Sequence, residues 1–172
     1  GLWSARALLD SPEAVMEVHR DYIKAGAEVI TTNSYSTIPS YLAKAGMSER
    51  YEDLTDIAAK MARTAADSAT NKVEVAGSLP PLSESYRHDL VPPDFEGLEV
   101  YKNLAAVLHP SVDLYLCETM SCAREAATAA KAARSVDSEK PVWIAWTLDE
   151  TPGGGLRSGE SIEDAMAAVA PF

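Results

Sequence analysis

The stretch Val112-Asp113-Leu114-Tyr115-Leu116-Cys117-Glu118-Thr119 decides the fold class. It is an apolar run of strand length that closes on a carboxylate and a hydroxyl, and Ser121 then opens an alanine-rich helical pattern over 122–136. The same layout occurs three more times. Residues 28–32 end in Asn33-Ser34-Tyr35, 73–77 end in Ser78, and 142–146 end in Thr147 with Asp149-Glu150 close behind. Buried strands that exit into polar groups at their C-terminal ends, each followed by a helix, build active sites on one face of a parallel sheet.

The helices between these runs carry their own punctuation. Ser11-Pro12-Glu13 is a helix start with a hydroxyl cap, a proline at the first helical position and an acid suited to the dipole. Val15, Val18 and Tyr22 recur at helical spacing until Gly26 stops the helix. A short helix over 40–45 ends at Gly46, and Ser48 caps a longer one with the stripe Leu54, Ile57, Met61 and Ala65. A long loop is expected over 82–97 beside Pro80-Pro81 and Pro92-Pro93, with a helix over 98–108. Ser161 opens the last helix, with Ile162, Ala165, Met166 and Val169 on one face.

Two architectures accommodate this alternation. One is a complete small doubly wound sheet. The other is part of a (β/α)8 barrel, a fold that typically needs about 250 residues. Periodicity alone does not separate them. A chain of 172 residues, 47% hydrophobic and 24% charged, has the composition of one globular domain with a real core. The net charge of -11 argues against nucleic-acid binding, since no basic stripe exists to neutralise phosphates. No run approaches the roughly 18 apolar residues of a membrane span. Cys117 and Cys122 have neither a zinc-ribbon nor a CxxC spacing, and a buried free thiol at Cys117 fits a reducing cytoplasm. Gly1 is not a start methionine, the N-terminal residues lack a signal-peptide layout, and the C-terminus follows a helix with no further strand, so an incomplete chain is expected.

Glu118 is the sharpest candidate for chemistry. A carboxylate at the mouth of a sheet needs a cationic partner, which is either a structural arginine or the ammonium group of a ligand. Thr31, Thr32, Asn33 and Tyr35 offer hydroxyls and an amide to a ligand or to loop backbone, and Ser78 after Gly77 has the same two readings. Ser78 is no nucleophile elbow, because Gly-x-Ser-x-Gly is absent. Asp149 and Glu150 read as an acid/base pair or as solvated loop residues. Gly153-Gly154-Gly155 lacks the Gly-Lys-Ser/Thr of a phosphate loop. His19, His88 and His109 have no metal-ligand spacing and read as surface or capping residues.

Specific strings go further. They are Leu2-Trp3-Ser4-Ala5, Asp21-Tyr22 before Ala25-Gly26-Ala27, Thr31-Thr32-Asn33-Ser34-Tyr35, Ala76-Gly77-Ser78 with Pro80-Pro81, residues 113–120, and Trp146-Thr147-Leu148 followed by Leu156-Arg157-Ser158-Gly159-Glu160. In this order and spacing they resemble the homocysteine S-methyltransferase family over nearly the whole chain. The resemblance implies an α/β fold, a partial (β/α)8 TIM barrel of about four βα units with parallel strands. Residues 1–172 would then be a single-domain fragment holding the second through fifth units.

The activity implied is transfer of a methyl group from a sulfonium or ammonium donor to the thiol of homocysteine, giving methionine in the cytoplasm. The resemblance also implies a Zn2+ ion, held by cysteine thiolates, that deprotonates the thiol. Cys117 and Cys122 match none of those ligands, which are expected beyond Phe172, so the fragment is expected to be inactive alone. By the same resemblance Glu118 binds the homocysteine amino group. Tyr35, Thr31, Thr32 and Asn33 line the pocket, and Ser78 and Thr147 face it. Two rivals stand beside this reading. One is a lyase or aldolase on a similar barrel, with Asp149 or Glu118 as base, although Lys140 lies at the wrong end of its strand for a Schiff base. The other is a non-catalytic small-molecule-binding α/β domain.

Overall fold

The computed structural model describes residues 2–172. Four parallel strands, β1 (Val29–Thr31), β2 (Glu74–Leu79), β3 (Leu114–Met120) and β4 (Val142–Trp146), form one sheet in the order β1-β2-β3-β4. The helices are α1 (Ala5–Asp10), α2 (Pro12–Lys24), α3 (Pro39–Ala43), α4 (Tyr51–Asp67), α5 (Asp94–Leu108), α6 (Ala123–Val136) and α7 (Ile162–Val169). Strand order never reverses, so there is no switch point of the doubly wound kind, and right-handed crossovers lay the helices on one face.

Burial follows from that geometry. Ile30, Val75, Leu79, Tyr115 and Cys117 pack against Ala59 and Ala62 of α4, Leu104 and Leu108 of α5, and Ala126 and Ala129 of α6. Alanine-rich helix faces allow the close helix-to-sheet approach that the sequence pattern announces. The register Thr31↔Ala76↔Leu114 and Ser78↔Leu116↔Trp143 defines the opposite face. There Thr31 and Ala145 are exposed and Trp143 keeps 48% of its surface. A sheet covered by helices on one side and open on the other is an arc of a (β/α)8 barrel; the small doubly wound sheet, covered on both sides, is not what the chain forms.

Local signals held where they rested on backbone geometry. Gly26 adopts φ +103 and closes α2 in a Schellman arrangement, with Ala27 N–H donating to Tyr22 O and Gly26 N–H to Ile23 O. Gly46 ends α3 in the same way. Ser161 caps α7 by accepting from Asp164 N–H at 3.0 Å.

Several expectations need correction. Ser11 stands at the α2 N-cap without a side-chain capping bond, and Cys122 rather than Ser121 occupies the α6 N-cap. Ser48 opens a 3-10 turn, and α4 starts only at Tyr51. Helix α5 begins at Asp94, not at 98, because Pro93 takes the N-cap and Asp94 and Glu96 suit the first turn. His19 is buried, with Nε2 lacking a partner, and burial depresses its pKa; it is no surface residue. Strands β2 and β3 run on to Leu79 and Met120, so Ser78 and Glu118 lie within strands rather than after them. Only backbone groups make the ladder, so a polar side chain on the open face does not end it.

Gly155 has φ +74, and a Cβ there would overlap the Glu160 carbonyl oxygen. We expect Gly155→Ala to lower unfolding free energy by about 2 kcal/mol, read by chemical denaturation. Burial pushes the Cys117 thiol up to about 12 and raises that of Cys122. Iodoacetamide at pH 8 is therefore expected to leave Cys117 unmodified in the native protein and to label it once guanidinium unfolds the chain. Native-state labelling of Cys117 contradicts its placement in the core.

Candidate functional site

The strand ends nearest β1, β2 and β3 converge on a ladder of polar side chains. Because Ser78 pairs with Leu116 in parallel register, Glu118 lies two residues further along the same face, and Ser78 Oγ donates to Glu118 Oε1 at 2.6 Å. Thr32 stabilises that arrangement from β1's side. Its Oγ1 accepts from Ser78 N–H at 3.0 Å, its own N–H donates to Ala76 O, and Ser34 Oγ lies 2.8 Å away. A bonded pair inside a parallel sheet thus rests on a buried hydroxyl network rather than on an ion pair.

Thr119, directly after Glu118, adopts φ +61, and the β3–β4 register shifts between Cys117 and Met120. A β-branched residue in the left-handed region is strained, and a bulge at a strand end re-aims neighbouring side chains. Thr147 closes the far side of this bulge, with N–H and Oγ1 both donating to Met120 O.

Tyr35 Oη shares a hydrogen bond of 2.7 Å with Ser85 Oγ, which also bonds Tyr41 Oη at 3.2 Å. Burial raises the Tyr35 phenol above its usual pKa, and the Glu118 charge acts in the same direction. The phenol is therefore neutral near neutral pH. Between the loops after β2 and β4, the Arg157 guanidinium sits 4.9 Å from the centre of the Tyr86 ring.

The residues singled out from sequence are only partly brought together. Ser78 and Glu118 touch, Thr32 touches Ser78, and Tyr35 is close enough to feel the Glu118 charge. Asn33 instead turns its amide to Ser4 O at 3.2 Å, and Thr31 lies exposed on the edge strand. Thr31, Thr32 and Asn33 border a different groove of about 550 Å3, between α2 and β1, which includes neither Ser78 nor Glu118. Asp149 accepts from Thr151 N–H, which lowers its pKa, and Glu150 pairs loosely with Arg157; both are exposed loop carboxylates. Lys140 lies before β4, bonded to His109, at the opposite end of the sheet.

Sequence reading gave no role to Ser85, Arg157 or Glu125. Ser85 and Arg157 sit in loops without periodicity, and Glu125 looks like an ordinary first-turn acid until burial is known.

Two properties define what this site can do. Glu118 belongs to none of the ion pairs among the described residues, so its charge faces the open side of the sheet without a cation. Among those residues no cluster of three or more His, Cys, Asp or Glu could hold a metal ion, and no helix is long and apolar enough to cross a membrane.

A family model described as homocysteine S-methyltransferase matches residues 1–172. Homocysteine S-methyltransferase 1 of Brassica oleracea var. italica is 28% identical over 98% of this chain and 57% of that protein. Homocysteine S-methyltransferase of Escherichia coli (strain K12) is 28% identical over 99% of this chain and 59% of that protein. The metallated form of the homocysteine methyltransferase MmuM from Escherichia coli superposes with a TM-score of 0.86 at 28% identity, over 99% of this chain and 63% of that one. The chain therefore spans less than two thirds of the length of these relatives. Matched throughout by the family model and sharing the solved relative's fold, it belongs to the homocysteine S-methyltransferase family.

Proposed function

We propose that this chain is the homocysteine-gripping part of a homocysteine S-methyltransferase barrel, a single domain within residues 1–172. The observation that carries the reading is Glu118. Its carboxylate is oriented by Ser78 at 2.6 Å and has no cationic partner among the described residues. A partly buried carboxylate without a counter-ion is costly, and a ligand ammonium group removes that cost. Tyr35 and Ser78 line the ammonium site, Thr32 supports it through Ser78, and Thr147 holds the rim by closing the bulge. Thr31 and Asn33 stay outside this ammonium site in the proposal.

Methyl transfer forms a bond between the homocysteine sulfur and the methyl carbon. It breaks that carbon's bond to the donor's positively charged sulfur or nitrogen, which leaves neutral with the electron pair, and the thiol proton passes to solvent. This chain's residues contribute binding and orientation, which convert an encounter into a near-unimolecular step. An acidic surface of net charge -11 favours approach of a cationic donor.

The metallated Escherichia coli relative supports a metal in the longer enzymes. Cys117 and Cys122 do not fit one, since Cys117 is fully buried toward the helices and Cys122 occupies the α6 N-cap. A thiol-activating Zn2+, methionine as product and a cytoplasmic setting belong to the proposal for the whole enzyme. A lyase or aldolase reading is not favoured, because among the described residues no lysine and no second acid pairs with Glu118.

The reading is tested by ligand pairs that differ only in the amino group. Calorimetry with L-homocysteine and with 4-mercaptobutyrate is expected to show about 30-fold tighter binding of the amino acid. Glu118→Gln should erase most of that preference while leaving 4-mercaptobutyrate affinity nearly unchanged. Equal binding of the two ligands by the unaltered chain removes the ammonium site.

A further inference from the structure

We infer that Glu125, which does not touch Glu118, is a positioning residue that fixes the β2–α5 connection flanking the Ser78–Glu118 pair. The inference rests on the homocysteine reading for its functional part only. The argument begins with two prolines. Pro80 and Pro81 follow β2 directly and carry no N–H, so the first backbone donor after Leu79 is that of Leu82. Leu82 is buried, and its N–H donates to Glu125 Oε1 at 3.1 Å.

Two further bonds complete the clamp. Tyr101 Oη, from α5, donates to Pro80 O at 2.8 Å and lies 3.4 Å from Glu125 Oε1. Ser40 Oγ donates to Leu82 O at 2.8 Å. Residues 80–82 are therefore held by α3, α5 and α6 together. The connection continues to Ser85, whose hydroxyl meets Tyr35 and Tyr41.

Glu125 is an expensive way to hold one N–H. It is 2% exposed, Oε2 has no partner, and Arg124 next to it is committed to Val91 O, Pro92 O and Asp94. Groups kept buried and incompletely bonded mark places where a geometry is maintained at a cost to stability. The geometry maintained here is the path that leads from Ser78 to Ser85, the two hydroxyls that bond Glu118 and Tyr35.

The test uses Glu125→Ala, Glu125→Gln and Tyr101→Phe in this chain. It reads amide hydrogen exchange at Leu82, thermal midpoint and L-homocysteine affinity. Glu125→Ala is expected to speed Leu82 exchange by at least about 10-fold and to weaken L-homocysteine binding by about 10-fold. Glu125→Gln should restore both to within about 3-fold, because its amide oxygen accepts the same N–H. Faster exchange with unchanged affinity overturns the positioning role, as does a glutamine variant that rescues neither property. If Glu125→Ala does not fold, the glutamine variant decides. Leu82 protected and affinity retained upholds the role, and Leu82 unprotected while Tyr101→Phe keeps its protection overturns it. If the unaltered chain does not distinguish L-homocysteine from 4-mercaptobutyrate, the ammonium reading fails, and Leu82 exchange in Glu125→Gln still judges the clamp.

Discussion

The parallel register between β2 and β3 is the constraint from which the site follows. Pairing Ser78 with Leu116 puts Ser78 and Glu118 on one face, within reach of a 2.6 Å hydrogen bond. A slip of one residue would turn Glu118 into the helix-packed core, where an unpaired carboxylate is far more costly. That core, from Val75 and Leu79 to Tyr115 and Cys117, is therefore what holds the carboxylate at the open face.

Around this pair the chain spends stability on geometry. Thr119 takes a left-handed conformation, worth about 1–3 kcal/mol of strain for a residue of its kind. Glu125 is buried without a counter-ion, and burial raises its pKa. Both lie beside the C-terminal ends of the strands. The opposite end carries ordinary fastenings, such as Arg63 bonding Asp113 at 2.9 Å while the same Asp113 oxygen accepts from Val75 N–H. The contrast separates the strand end that carries the proposed site from the end that holds the sheet, in keeping with barrel architecture.

The two faces of the sheet have equally distinct roles. Helices α4 and α6 bring alanines against one face, while α5 adds the large side chains of Tyr101, Leu104 and Leu108. The other face bears Glu118 with Ser78, and also Trp143 and Ala145 in the open. An open face leaves Glu118 accessible to the ammonium group proposed for it.

Much of this was legible from residues alone. Apolar runs ending in polar clusters located all four strands, Gly26 and Gly46 marked helix ends because a left-handed closure needs glycine, and Glu118 stood out as a carboxylate on a buried strand. The family strings supplied the expectation of an ammonium partner for it. Strand ends were read too short at Ser78 and Glu118, since periodicity registers side chains and the ladder is made by backbone. What only the tertiary structure decided is which groups meet: Ser78 with Glu118 across 40 residues, Ser85 with Tyr35 across 50, and Glu125 with Leu82 across 43. Local patterns encode elements because each obeys its own backbone sterics, whereas contacts between elements depend on register and packing that no single stretch contains.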